Sequence, residues 1–330
     1  MKAKVYVTRR IPQAGIDILR ESCSSVEVNE EDRVLTHEEL QGKVGGCDGV
    51  LCLLTDKIDL AVLNAATRAV GFANYAVGFD NIDVAEATKR GILVSNTPGV
   101  LTNATADHAW ALLFSLARRI VESDAYTRAG KFKGWGPMLF LGGDITGRTL
   151  GIIGAGRIGT AVALRSAGFS MRVLYADERR NEDLEKKVGA RRAPLPELLA
   201  ESDFVSVHVN LSAETRHLIG KRELGMMKKS AYLINTSRGP VVDEKALVEA
   251  LRERKIGGAG LDVYEEEPAL APGLASLPNA VVVPHIASAT IETRTRMATM
   301  AATNLVQMLR GERPTNLVNE EALAKRRKLG

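Results

Sequence analysis

Short runs of β-branched and aliphatic residues alternate with amphipathic stretches along nearly the whole chain, the pattern of parallel strands joined by crossover helices. In the first third, the runs Lys4–Val7, Val26–Val28, Gly49–Leu54, Ala69–Ala73 and Ile92–Ser95 predict strands. Helical periodicity at Ala14–Glu21 and Leu60–Thr67 falls between them. Asn96-Thr97-Pro98-Gly99 then breaks the rhythm, and one long helix is predicted from Leu101 to Ile120, with Trp110, Leu113, Ala117 and Ile120 along one face. A second series begins at Arg148, with strands predicted at Thr149–Ile153, Met171–Ala176, Phe204–Val209, Ala231–Asn235, Gly258–Val263 and Val281–Pro284. The helical pattern Thr290–Leu309 has no third group of strands to join, so it is expected to return to the first. The fold class is therefore α/β, two doubly wound parallel-sheet domains with one inserted into the other: residues 1–98 and 286–330 form the first, residues 99–285 the second.

Composition narrows the function classes. At 330 residues the chain exceeds what one core usually holds, and 45% hydrophobic with 25% charged residues is a globular composition. No stretch approaches the roughly 18 apolar residues of a membrane span, and Met1-Lys2-Ala3-Lys4-Val5-Tyr6-Val7 lacks an apolar signal core. A cytoplasmic location without membrane attachment is the expectation. The three cysteines, Cys23, Cys47 and Cys52, form no Cys-x-x-Cys, so they are expected to be small buried hydrophobes rather than ligands, and no metal is predicted. Net charge is only +4, and the basic run Lys325-Arg326-Arg327-Lys328 has no interleaved aromatics. It is expected to be a solvated tail, with no nucleic-acid partner.

One turn carries chemistry. Gly154-Ala155-Gly156-Arg157-Ile158-Gly159 follows the apolar run Leu150–Ile153 and opens a helical pattern, the strand-turn-helix setting that makes Gly-x-Gly-x-x-Gly a dinucleotide site. Gly154 suits a tight turn, Gly156 lets backbone approach a pyrophosphate, and Gly159 lets helix and strand pack closely. Asp177 stands eighteen residues beyond Gly159, after the next strand, where an acid accepts hydrogen bonds from the adenosine ribose. A carboxylate there favours NAD, while Arg179 and Arg180 close behind keep NADP use open.

Three further ionisable residues stand at or just beyond predicted strand ends, the edge at which open α/β sheets bind ligands: Arg238, Glu267 and His285. Singly, each has an ordinary structural reading as a cap, a surface acid or a core imidazole. Their order and company point to more. Imidazole has an intrinsic pKa of roughly 6.5, and a neighbouring carboxylate raises it and fixes the ring.

The segments Asn74–Asp83, Leu101–Asp107, the glycine turn, Asn235-Thr236-Ser237-Arg238-Gly239, Gly260-Leu261-Asp262-Val263 and Pro284–Thr290 together resemble the D-2-hydroxyacid dehydrogenases, within them the glyoxylate and hydroxypyruvate reductases. The resemblance implies a Rossmann NAD-binding domain inserted into a flavodoxin-like substrate domain. It implies reduction of a 2-oxo acid, which needs a cation for the carboxylate and an acid to protonate the carbonyl oxygen as hydride reaches its carbon, with Arg238 as the substrate clamp, His285 as the general acid and Glu267, directly before Pro268, as its partner. Further cofactor contacts implied are Thr105, Ala155, Arg157, Ile158, Glu178, Arg179, Thr215, Thr236, Ser237, Ile286 and Ala287, with Asp262 toward the nicotinamide carboxamide. Leu54 and the backbone of Val77 and Gly78 would contact substrate. Trp135 would reach across a homodimer, or else be a packed aromatic. The chain departs from the family in Asn210-Leu211, where Pro-Leu is frequent.

Two rivals share much of this pattern. A short D-3-phosphoglycerate dehydrogenase would use the same Arg, Glu and His, although no regulatory domain follows residue 320. A dinucleotide-sensing corepressor would bind cofactor without turnover, although such proteins carry long flanks and this chain ends soon after Asn316–Asn319. Phosphite oxidation would need a lysine where Val77 stands.

Overall fold

The computed structural model describes residues 1–329. The chain divides into two compact units, Met1–Leu101 together with the chain from Ala289 onward, and Thr102–Ser288.

The first unit carries five parallel strands, β1 (Lys4–Val7), β2 (Ser25–Val28), β3 (Gly49–Cys52), β4 (Gly71–Asn74) and β5 (Leu93–Ser95). Their order, β2-β1-β3-β4-β5, is the flavodoxin-like arrangement. Strands β3, β4 and β5 are buried throughout, as expected of a sheet covered on both faces. On one face lie the helices Gln13–Ser22 and Ile291–Leu309, so the C-terminal helix does rejoin the first group of strands. Its start is capped by the Thr290 hydroxyl, which accepts from the Thr293 N–H. Gly15 makes the close approach possible: a Cβ there would stand 2.8 Å from the Cβ of Ala298.

The second unit carries seven parallel strands, β6 (Thr149–Ile153), β7 (Arg172–Ala176), β8 (Arg191–Arg192), β9 (Phe204–Val207), β10 (Tyr232–Asn235), β11 (Gly258–Leu261) and β12 (Ala280–Val282). Their order is β12-β11-β10-β9-β6-β7-β8, the dinucleotide-binding arrangement extended by one strand. The chain order reverses at β6, flanked by β9 and β7, which places the glycine turn at the topological switch point.

Several expectations are corrected. Six strands were predicted here and seven form; β8 is two exposed arginines on a sheet edge, with no hydrophobic alternation to mark it. The predicted helix Leu101–Ile120 ends at Ala117, because the Gly143 N–H closes on the Ala117 carbonyl and Arg119 turns into the left-handed region at φ 52°. Trp110, Leu113 and Ala117 are buried as read, but Ile120 opens a second helix, Ile120–Arg128, and is 52% exposed. The tail is not wholly solvated: the Arg327 guanidinium donates to the carbonyls of Arg90, Ala66, Thr67 and Ala69. Cys47 and Cys52 are buried and Cys23 half-buried, and burial pushes all three thiols up. Among the described residues no helix is long and apolar enough to cross a membrane, and no group of His, Cys, Asp or Glu is arranged to hold a metal ion.

Candidate active site

Strand β6 runs into the glycine turn, and the helix Arg157–Arg165 leaves it with Gly156 as its N-cap. Gly154 has φ +89°, and a Cβ there would come within 2.8 Å of the His208 carbonyl group. At Gly159 a Cβ would run into the carbonyl oxygen of Gly154. Gly156 differs, because beyond its own chain neighbours no protein atom lies within 4 Å of where its Cβ would stand. Open space before the unpaired N–H groups of a helix start fits an approaching pyrophosphate. The turn is braced by Asn181, whose side-chain amide donates to the carbonyl of Ala155 and the hydroxyl of Thr160.

Asp177 follows β7 directly and accepts from the N–H groups of Ala155 at 2.7 Å and Arg179 at 2.9 Å. A carboxylate offers about four acceptor positions, so these two bonds orient it and leave room for ribose hydroxyls. The Arg192 guanidinium donates to the carbonyls of Asp177 and Glu178, fixing the path of the loop. Glu178, Arg179 and Arg157 are exposed, Ile158 is half-buried, and Thr105 is buried on the helix Thr102–Ala117. Thr215 uses its hydroxyl to close its own loop, donating to the Asn210 carbonyl and accepting from the Ser212 N–H. The Thr236 hydroxyl is buried with no hydrogen-bond partner, which suits a ligand contact at the end of β10.

At the same sheet edge, Asn235 ends β10 and its side chain shapes the next turn. Its amide donates to the Arg238 carbonyl, and its oxygen accepts from the N–H and hydroxyl of Ser237. Arg238 is thereby presented just past the strand, one guanidinium N–H resting on the Ser237 carbonyl at 2.9 Å.

The buried Asp262 follows β11, and its two oxygens accept from the N–H groups of Ile286 at 2.6 Å and Ala287 at 2.8 Å. Those bonds anchor the segment just after His285, whose own backbone is left-handed at φ 54°. Holding a non-glycine residue there costs energy that surrounding contacts must offset. His108 lies behind Asp262, its Nε2 3.4 Å from a carboxylate oxygen but not aligned for a hydrogen bond.

His285 Nδ1 faces Glu267 Oε2 at 3.0 Å, with the two side chains 26% and 31% exposed. The other oxygen, Oε1, accepts from the Tyr264 N–H at 3.0 Å, so the carboxylate is held on both sides. Tyr264 in turn donates its hydroxyl to the Val283 carbonyl, and burial pushes its phenol up to about 12, so it stays a donor. Of the other histidines in this unit, His208 sits beside the glycine turn, but its Nε2 pairs with the Ser206 hydroxyl at 2.8 Å and burial pushes its imidazole down. The ring with a carboxylate behind it and Nε2 left for a reacting atom is His285.

Arg238, Glu267, His285, Asp262 and the glycine turn thus all belong to one unit, at the carboxyl ends of its strands. Leu54, Val77 and Gly78 belong to the first unit, just past β3 and β4. The carbonyls of Val77 and Gly78 accept from the side chains of Asn96 and Asn74. The braces Asn181 and Asn235 were not singled out from sequence, since polar residues beside turns are too common to mark a role.

The chain is similar to known proteins along most of its length. The model of the D-isomer specific 2-hydroxyacid dehydrogenase NAD binding domain matches residues 110–287. A glyoxylate reductase of Korarchaeum cryptofilum is 54% identical over 98% of this chain and 98% of its own. The crystal structure of the TT0316 protein from Thermus thermophilus superposes with a TM-score of 0.89 at 45% identity, covering 96% of this chain and 99% of that one. An NADPH-dependent glyoxylate/hydroxypyruvate reductase from Sinorhizobium meliloti, solved with citrate, gives 0.84 at 30% identity, with coverage of 99% and 100%. With the strand order, the turn and the paired histidine and glutamate already in place, the chain belongs to the D-isomer specific 2-hydroxyacid dehydrogenase family, oxidoreductases that use a nicotinamide cofactor.

Proposed function

We propose that this protein reduces glyoxylate, and hydroxypyruvate as a close analogue, to the corresponding 2-hydroxy acid. The observation that carries the proposal is the His285–Glu267 pair at 3.0 Å, on the same sheet edge as Arg238 and the glycine turn. The nicotinamide cofactor, when bound, supplies the hydride. Gly154–Gly159 would hold its pyrophosphate, Asp177 its adenosine ribose, and Thr236 with the Asp262 segment its nicotinamide end.

The chain's own residues do the rest. Arg238 binds the substrate carboxylate with its planar fork and draws charge onto the carbonyl oxygen. Glu267 holds Nδ1–H of His285, so that the proton delivered to that oxygen comes from Nε2. Leu54, Val77 and Gly78 join the proposal as substrate contacts on the strength of the family resemblance. Curated relatives named glyoxylate reductase support this substrate over a 3-phosphoglycerate. The test is NADH consumption with glyoxylate and hydroxypyruvate against pyruvate and 2-ketogluconate.

The proposal includes a preference for NAD. Asp177 presents a carboxylate where NADP carries a 2′-phosphate, and the two would repel. Removing it in Asp177→Ala is expected to raise KM for NADH by on the order of tenfold, while KM for NADPH rises far less or falls. Equal effects on both cofactors in steady-state kinetics would refute the preference.

It also includes a homodimer. Between Ile120 and Leu141, Phe132, Trp135 and Met138 are exposed, Trp135 to 85%, so Trp135 is not a packed aromatic of its own chain. Adjacent exposed hydrophobics on this scale mark a protein contact. Light scattering is expected to give twice the chain mass for the native protein and the monomer mass for a Trp135→Ala, Met138→Ser variant. A native monomer would rule the dimer out.

A further inference from the structure

Glu244 is 5% exposed, and none of the groups assigned to the chemistry above explains why a carboxylate is buried there. It is the first residue of the helix Glu244–Arg252, but the capping is done by Asp243, whose side chain accepts from the Ala246 N–H. Glu244 instead reaches out to a loop. Its Oε2 accepts from the Glu265 N–H at 2.8 Å and its Oε1 from the Ala271 N–H at 2.9 Å. These two donors bracket Glu267. The chain between them is folded tightly, with the Ala269 N–H closing on the Glu266 carbonyl.

The contact is reciprocal, because Glu265 Oε2 accepts from the Glu244 N–H at 3.3 Å. Glu265 Oε1 also meets His217 Nε2 at 2.6 Å and lies 3.4 Å from the Arg216 guanidinium. The His217 N–H donates to the Pro240 carbonyl, two residues past Arg238. At Gly239 a Cβ would run into the Tyr264 carbonyl group, so the Arg238 turn and the Glu267 loop press directly together.

Burying a carboxylate is costly unless it is hydrogen-bonded, and here two backbone N–H groups and the positive end of a helix offset that cost. Charge-assisted bonds of this kind are roughly twice as strong as neutral ones, which suits a loop that must not drift.

We propose that Glu244 is a positioning residue that clamps both flanks of the Glu267 loop and so sets the Glu267–His285 contact. The inference rests on the reading of that pair as the proton-delivering device.

Glu244→Gln keeps size and one acceptor oxygen but turns an NH2 toward one of the two N–H donors. Its kcat for glyoxylate is expected to fall on the order of tenfold, with KM for NADH unchanged, since small misplacements of reacting groups cost rate rather than cofactor binding. The downfield proton resonance of His285 Nδ1–H, read by NMR in the NADH-bound protein, is expected to broaden or vanish. Glu249→Gln, on the exposed face of the same helix, is expected to change neither.

Native kcat and an intact His285 resonance in Glu244→Gln would overturn the proposal, whatever happened to its Tm. Should that variant fail to fold, Glu265→Gln perturbs the same clamp from its more exposed end and is expected to give the same two changes. Lack of turnover in the native protein would refute the functional reading alone, because the resonance reports the clamp without substrate.

Discussion

His285→Ala is expected to lower kcat for 2-oxo acid reduction by on the order of 100-fold or more, the usual worth of a positioned general acid. NADH should still bind, because the glycine turn and Asp177 are held by contacts that do not include the imidazole. The variant separates two roles the ring could have. If His285 only packed the loop, replacing it would lower thermal stability and leave turnover near normal. Because Glu267 holds Nδ1 while Tyr264 N–H holds Glu267, the loss should appear in kcat. Stopped-flow measurement of NADH oxidation at saturating substrate checks this, and near-native turnover would refute the assignment.

The second large effect is expected at Arg238. Arg238→Lys keeps the charge but loses the planar fork that meets a carboxylate with two parallel bonds, so kcat/KM should fall on the order of 100-fold or more. Most of the loss is expected as a raised KM for the 2-oxo acid, with a smaller fall in kcat as charge on the carbonyl oxygen is less well met. A Lys variant with native kcat/KM would show that only charge matters at this position.

The strand-helix alternation was legible because parallel strands buried on both faces read as apolar runs, and the twelve-strand plan differs from the expected eleven only by β8. A two-residue edge strand of exposed arginines has no such signature. The break at Arg119 was hidden because Ile120 continues the helical spacing, while what ends the helix is a tertiary bond from Gly143.

The proposed reacting groups were legible for a different reason. Arg238, Glu267 and His285 stand near strand ends within distinctive short segments, and the glycine turn declares its own geometry. What supports them was not legible. Asp262 was read only as a cofactor contact, yet both its oxygens anchor the backbone after His285. Glu244 looked like an ordinary acidic helix start, and only the folded chain shows its carboxylate gripping a loop more than twenty residues away. Arg327 read as one of four tail cations, and only its reach to four carbonyls distinguishes it from its neighbours. Such roles depend on pairings distant in sequence, which residue spacing does not encode.

The central claim, that the cofactor turn and the His285–Glu267 pair together make a glyoxylate reductase, is tested most directly by following NADH absorbance after adding glyoxylate to the purified native protein. The account predicts steady, enzyme-dependent oxidation of NADH with one glycolate formed per NADH consumed. Tight NADH binding with no consumption of glyoxylate or any other 2-oxo acid would contradict it, and is the behaviour of a dinucleotide-sensing binding protein.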